Sequence, residues 1–206
     1  MNTAPLAATL LAGLTRLVTG VQARWLCAAP TAAPRVYFAN HTSHLDTLVI
    51  WASLPPSLRV RTRPVAAADY WGQPGLHRWL ATRVLNALLV DRSGGGGSRE
   101  ALRALTLALD AGDSLILFPE GTRGAGPVIG ELRPGLYFVA RQCPMIDLIP
   151  VYLQNLSRIL PKGEILPVPI LGSATFGAPL RLEPGEDRDT FLNRARAALT
   201  ALGEHA

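Results

Sequence analysis

Acidic residues are scarce at the start of this 206-residue chain: residues 1–68 hold one, Asp46, against Arg16, Arg24, Arg35, Arg59, Arg61 and Arg63. The formal net charge of +5 therefore resides in the first third. Cysteine is nearly absent. Cys27 and Cys143 lie far apart and outside any CxxC or Cys/His cluster, which excludes a disulfide framework and a zinc site and points to a reducing compartment. Aromatics make up 6% of the chain and do not interleave with the basic segment, and no groove-reading motif follows, so nucleic acid is not the expected partner. Charge-free apolar runs of about 20 residues, the length that spans a bilayer, are also missing, because Arg16 interrupts the first one. Nothing basic precedes that run, so it does not read as a secretory leader. GxSxG is absent. The run Gly94–Gly97 lacks the Gly-Lys-Ser/Thr of a phosphate-cradling loop and reads as a flexible connection.

What is present begins with a helical stripe. Leu6, Leu10, Leu14, Leu17, Val21 and Trp25 recur at helical spacing, while Thr15, Arg16, Gln22 and Arg24 break the apolar surface elsewhere. Residues 1–30 thus read as an amphipathic segment. It either lies in a membrane interface beside its arginines or packs as an ordinary helix on the domain of residues 31–206. Beyond it, strands expected at Arg35–Ala39, Arg59–Arg63, Leu85–Val90, Ser114–Phe118 and Ile146–Leu153 alternate with helices expected at Thr42–Leu54, Arg99–Asp110, Leu136–Gln142 and Asp189–Leu202. Tyr70–Leu80, broken by Gly72, Pro74 and Gly75, reads as a helix end or loop. This order indicates a single α/β domain with a central mixed, largely parallel sheet flanked by helices.

Two polar segments follow strands. In Asn40-His-Thr-Ser-His-Leu-Asp46, His41 and Asp46 are too far around a continuous helix to meet, about 140° apart, unless His41 lies in the turn before it. Ser43-x-x-Asp46 fits a capping box, which supports that turn but also explains Asp46 without any catalysis. Phe118-Pro-Glu-Gly-Thr-Arg123 has ordinary turn chemistry, yet it also gathers Glu120, Thr122 and Arg123 at a strand end, where a phosphate is readily held.

NHTSHLD and FPEGTR, in that order, resemble the paired signature of the glycerolipid acyltransferase family, to which 1-acylglycerol-3-phosphate acyltransferases belong. Asn86-Ala-Leu-Leu-Val-Asp-Arg92 is similar to the family's arginine-bearing second block and Ile149-Pro-Val-Tyr-Leu153 to its proline-bearing fourth, so the likeness spans roughly residues 36 to 153. The chain departs from the family at Asn86, usually Gly, at Leu89, often Phe, and at Gly124, commonly Ser. The resemblance implies transfer of an acyl chain from a thioester, acyl-CoA or acyl-acyl carrier protein, to a lysophospholipid hydroxyl at the cytoplasmic face of a membrane, by a peripheral or monotopic enzyme. In that reading His41 is the general base and Asp46 orients it, Arg92, Glu120, Gly121, Thr122 and Arg123 bind the phosphoglycerol part, and Pro150 shapes the site. No metal, cofactor or acyl-enzyme is expected. Another lysolipid acceptor such as a lyso-ornithine lipid, release of free fatty acid to water, and a non-catalytic membrane-binding module are the alternatives.

Overall fold

A computed structural model describes residues 4–26, 31–91, 97–124, 128–159 and 171–204. In chain order the helices are α1 (Ala4–Thr19), α2 (Asp46–Ser53), α3 (Pro56–Arg59), α4 (Ala68–Trp71), α5 (Leu76–Trp79), α6 (Gly97–Asp110), α7 (Gly135–Gln142), α8 (Leu156–Ile159) and α9 (Arg188–Glu204). The strands are β1 (Gln22–Trp25), β2 (Arg35–Ala39), β3 (Thr62–Ala67), β4 (Leu88–Val90), β5 (Ser114–Leu117), β6 (Asp147–Gln154) and β7 (Ser173–Phe176). They form one sheet in the order β1-β7-β6-β2-β5-β3-β4, in which only the β6–β7 pairing is antiparallel.

The two-residue strand period sorts the core into two layers. Tyr37, Ala39, Ile116, Ile149 and Val151 face α2 and its Val49 and Ile50, whereas Val36, Phe38, Leu115 and Leu148 face α7 and α9, with Leu136, Val139, Phe191, Ala195 and Leu199. Every residue of β2 is buried, as its near-continuous apolar run requires of a central parallel strand. β2 and β5 are neighbours, but the chain leaves β2 for α2 on one face and β5 for α7 on the other. That divergence makes their carboxyl ends a topological switch point, the position where α/β sheets bind ligands.

The amphipathic stripe is shorter than its spacing suggests. Gly20, at φ 54, ends α1, and Val21 and Trp25 leave the helix: Trp25 lies in β1, which pairs with β7, and stacks on Phe176 at 3.8 Å. α1 packs on the domain, but through a face other than the expected leucine stripe. Ala8, Leu11 and Ala12 join the core on the α2 side, while Leu6, Leu10, Leu14 and Leu17 stand exposed. Other boundaries move too. Of the alternating Arg59–Arg63 stretch only Thr62 and Arg63 are strand; Pro55-Pro56 starts the short α3 through Arg59, and β3 begins at Thr62. Tyr70–Leu80 divides into α4 and α5 across Gly72–Gly75, and a π-helical turn at Leu80–Val84 follows. The strand expected at Leu85–Val90 begins only at Leu88, because Asn86 adopts φ 51. β7, at Ser173–Phe176, was not anticipated.

Candidate active site

The two segments that carry polar side chains meet beyond the carboxyl ends of β2 and β5. Asn40, the first residue beyond β2, is buried, and its side chain fastens the loop to β6: Nδ2 donates to the Leu153 carbonyl at 3.0 Å and Oδ1 accepts the Leu153 N–H at 2.8 Å. His41 follows in the turn before α2. Its backbone N–H donates to Glu120 Oε1 at 2.8 Å, its carbonyl accepts the Gly124 N–H at 2.8 Å, and its ring stacks on Phe118 at 4.2 Å. Both main-chain groups and the ring face of His41 are therefore held by the β5 loop.

The fourth restraint is Asp46. His41 Nδ1 lies 2.8 Å from Asp46 Oδ2, and the same oxygen accepts the N–H groups of Thr42 at 2.6 Å and Ser43 at 2.9 Å. The expected capping box does not form as such, because α2 begins at Asp46 with Leu45 as its N-cap and no side chain caps it. The carboxylate reaches back to Ser43, but the Ser43 hydroxyl accepts from Leu45 at 3.2 Å rather than from residue 46. Shaping of the turn before α2 and orientation of His41 thus fall to one oxygen of a side chain that is 0% exposed, while His41 is 22% exposed. A carboxylate only accepts, so Nδ1 carries the proton and Nε2 keeps its lone pair. An imidazole so fixed can take a proton from a hydroxyl brought to Nε2.

Glu120 sits beneath this loop instead of facing outward. It is 8% exposed, and while Oε1 holds His41, Oε2 accepts the Gly130 N–H at 2.9 Å. Both oxygens are occupied by main-chain donors, which ties the turn after β2 to both limbs of the β5 loop. Gly121 makes the loop's tight turn at φ 74, its N–H donating to the Phe118 carbonyl at 3.0 Å. Thr122 and Arg123 are exposed at the end of this turn, next to Gly124 and its bond to His41. Burial and then the positive charge of Arg123 hold His44 below the ordinary histidine value; His41 adds to that depression and Asp46 opposes it.

Of the residues singled out by sequence, His41, Asp46, Glu120, Gly121, Thr122 and Arg123 are brought together. Pro150 is not at the loop: it lies within β6, in register with Phe38, three residues short of the Leu153 contact with Asn40. Arg92 lies outside the described residues. Sequence reasoning passed over Asn40, Phe118 and Gly130. Asn40 adjoins the histidine and Phe118 begins the second motif, but nothing in the residues around Gly130 announces its bond to Glu120. Glu120→Gln sets an NH₂ group against a main-chain N–H, and we expect a stability loss of about 1–3 kcal/mol in urea unfolding.

The acyltransferase family model matches residues 22–154, most of the sheet and both polar segments. The chain is 26% identical over 131 residues to the chloroplastic 1-acyl-sn-glycerol-3-phosphate acyltransferase LPAT1 of Arabidopsis thaliana; the match takes in 64% of this chain and 35% of that protein, so the chain spans about a third of its curated relative. The crystal structure of PlsC, the 1-acyl-sn-glycerophosphate acyltransferase of Thermotoga maritima, superposes with a TM-score of 0.73 over 96% of this chain and 79% of its own, at 17% identity, and shares the fold.

Proposed function

The chain belongs to the acyltransferase family, and from that premise we propose that it moves a fatty acyl chain from a thioester to the free hydroxyl of a lysophospholipid, with 1-acylglycerol-3-phosphate as acceptor and phosphatidic acid as product. The observation that carries this reading is the 2.8 Å contact between His41 Nδ1 and the buried Asp46, which leaves Nε2 open. The acceptor oxygen attacks the thioester carbonyl carbon as its proton passes to Nε2, and Asp46 stabilises the imidazolium. The tetrahedral oxyanion then collapses, the C–S bond breaks, and the proton held by His41 neutralises the departing thiolate. Thiols have pKa near 8.5, so the leaving group departs without a separate acid. The transfer is direct, without an acyl-enzyme.

Arg123 and Thr122, exposed beside His41, suit the acceptor's phosphate, and Arg92 is assigned there from its motif. Glu120 acts as a positioning residue for His41, and its gain is in turnover: Glu120→Gln is expected to lower kcat about tenfold or more with KM little changed, as steady-state kinetics will read. The donor is acyl-CoA or acyl-acyl carrier protein. Among the described residues no helix is long and apolar enough to cross a membrane. The exposed leucines of α1 suit the surface of a bilayer, at its cytoplasmic face, so α1 serves as the membrane-associating segment of residues 1–30 and the remaining chain as the acyltransferase domain.

A panel of purified lysolipids with one labelled acyl thioester tests the acceptor. Lysophosphatidic acid is expected to be acylated fastest. Turnover of lyso-ornithine lipid or lysophosphatidylglycerol without turnover of lysophosphatidic acid would reassign the acceptor and leave the chemistry standing.

A further inference from the structure

Folding redistributes the arginine excess of the first third. Arg61 and Arg63 meet Asp113 at 3.8 and 3.4 Å, and Arg35 is buried against the Thr31 hydroxyl. Arg16 and Arg59 find no carboxylate among the described residues and instead converge on the carboxyl end of α2. Arg16 forks onto the Ala52 carbonyl, Nε at 3.0 Å and Nη2 at 2.6 Å, while Arg59 Nη2 donates to the Leu54 carbonyl at 3.0 Å. Arg59 is 8% exposed and stacks on the buried Trp51 ring at 5.0 Å. Two donors in this cluster, Arg59 Nε and Trp51 Nε1, are buried with no acceptor. Burial, with the charge of Arg16 added, holds the Arg59 guanidinium below the ordinary arginine value. The negative end of α2 offsets part of this charge, but every unfilled group is a donor. Each arginine is also followed by an exposed apolar side chain, Leu17 at 82% and Val60 at 72%.

We propose that Arg16 and Arg59, backed by Trp51, form a binding site for the phosphate of an anionic membrane lipid, with Leu17 and Val60 entering the bilayer beside it. Two guanidiniums with no carboxylate among the described residues, and the unfilled donors beside them, call for an oxyanion, and guanidinium meets phosphate oxygens in pairs. The apolar neighbours select a lipid in its membrane over phosphate in solution, because Leu17 continues the exposed row of Leu6, Leu10 and Leu14. The site lies apart from the loops around His41. This inference rests on the membrane-surface reading of α1 but not on the identity of the acyl acceptor.

Co-sedimentation of the full chain with phosphatidylcholine–phosphatidylglycerol vesicles tests it. Arg16→Gln is expected to weaken partition about fivefold, the equivalent of roughly 1 kcal/mol for one basic residue at an anionic surface. Arg16→Lys should weaken it nearly as much, since an ammonium keeps the charge and loses the fork. Arg59→Lys, with its folding checked by thermal melting, should follow Arg16→Lys. Wild-type binding by Arg16→Lys would show diffuse charge attraction only and overturn the site. Displacement of the protein from vesicles by millimolar glycerol phosphate would assign the arginines to a soluble phosphate and overturn the lipid. Leu10→Ser with Leu17→Ser separates the two readings: wild-type binding by that variant removes the membrane reading itself, whereas loss of binding there with none in Arg16→Lys removes only the headgroup site.

Discussion

His41→Ala is expected to lower acyl transfer by about 10²–10⁴-fold, the usual contribution of a positioned general base, while the protein stays folded. The substitution removes the ring and its Nδ1 contact with Asp46 but none of the main-chain bonds that shape the loop, since the His41 N–H still reaches Glu120 and its carbonyl still receives Gly124. Asp46 keeps its bonds from Thr42 and Ser43. The stability change should therefore stay near the net worth of one hydrogen bond, about 1 kcal/mol. Initial rates with labelled thioester, beside urea unfolding of both proteins, separate the two effects. An alanine variant that is fully active would show that the imidazole takes no proton in the rate-limiting attack.

Asp46→Asn carries the second large effect and decides between the two roles of this side chain. The change is nearly isosteric. An amide oxygen at the Oδ2 position still accepts from His41, Thr42 and Ser43, but without negative charge, and its NH₂ then occupies the site of Oδ1, a buried atom with no partner among the described residues. Weaker bonds from the turn and one more unmet donor predict a stability loss of about 1–3 kcal/mol. If Asp46 only held the turn before α2, turnover at a temperature where the variant is folded would match wild type. If it also orients His41 and stabilises the imidazolium, turnover falls about 10²–10⁴-fold in the same sample. Kinetics at low temperature, with the folded fraction measured by circular dichroism, read this difference.

The parts of the molecule legible in its sequence are those where local pattern and tertiary context agree. β2, β5 and β6 are apolar runs buried on both faces, and α9 buries Phe191, Ala195, Leu199 and Leu202 at helical spacing. The meeting of His41 with Asp46 was legible because the Ser43-x-x-Asp46 spacing signals a helix start nearby, which places His41 in the turn before it, although α2 begins at Asp46 rather than at Thr42. Elements whose form depends on distant partners were misread. The stripe through Val21 and Trp25 keeps helical spacing, yet Gly20 stops the helix and pairing with β7 turns the next residues into a strand. Glu120 looks from its motif like a ligand for phosphate; only the fold brings the N–H groups of His41 and Gly130 to its two oxygens.

Two of the three departures from the family pattern, Asn86 and Gly124, also have simple physical accounts. Asn86 occupies a left-handed backbone conformation that Gly and Asn both tolerate. Gly124 contributes its N–H, which any residue but proline supplies, and a Cβ there would stand 3.6 Å from Glu120 Oε2 and 3.8 Å from the His41 carbonyl, ordinary contacts. The substitutions at these two positions leave the loop around His41 unchanged.

If His41 drives direct passage of an acyl group from thioester to lysolipid, thiol release and acylated lipid must rise together. The measurement that tests it most directly follows thiol release and lipid products together, using wild type and His41→Ala on lysophosphatidic acid with a labelled acyl thioester. Wild type is expected to give one molecule of phosphatidic acid per thiol released, and the variant almost none of either. Labelled free fatty acid as the main wild-type product, or equal yields of phosphatidic acid from both proteins, would contradict it.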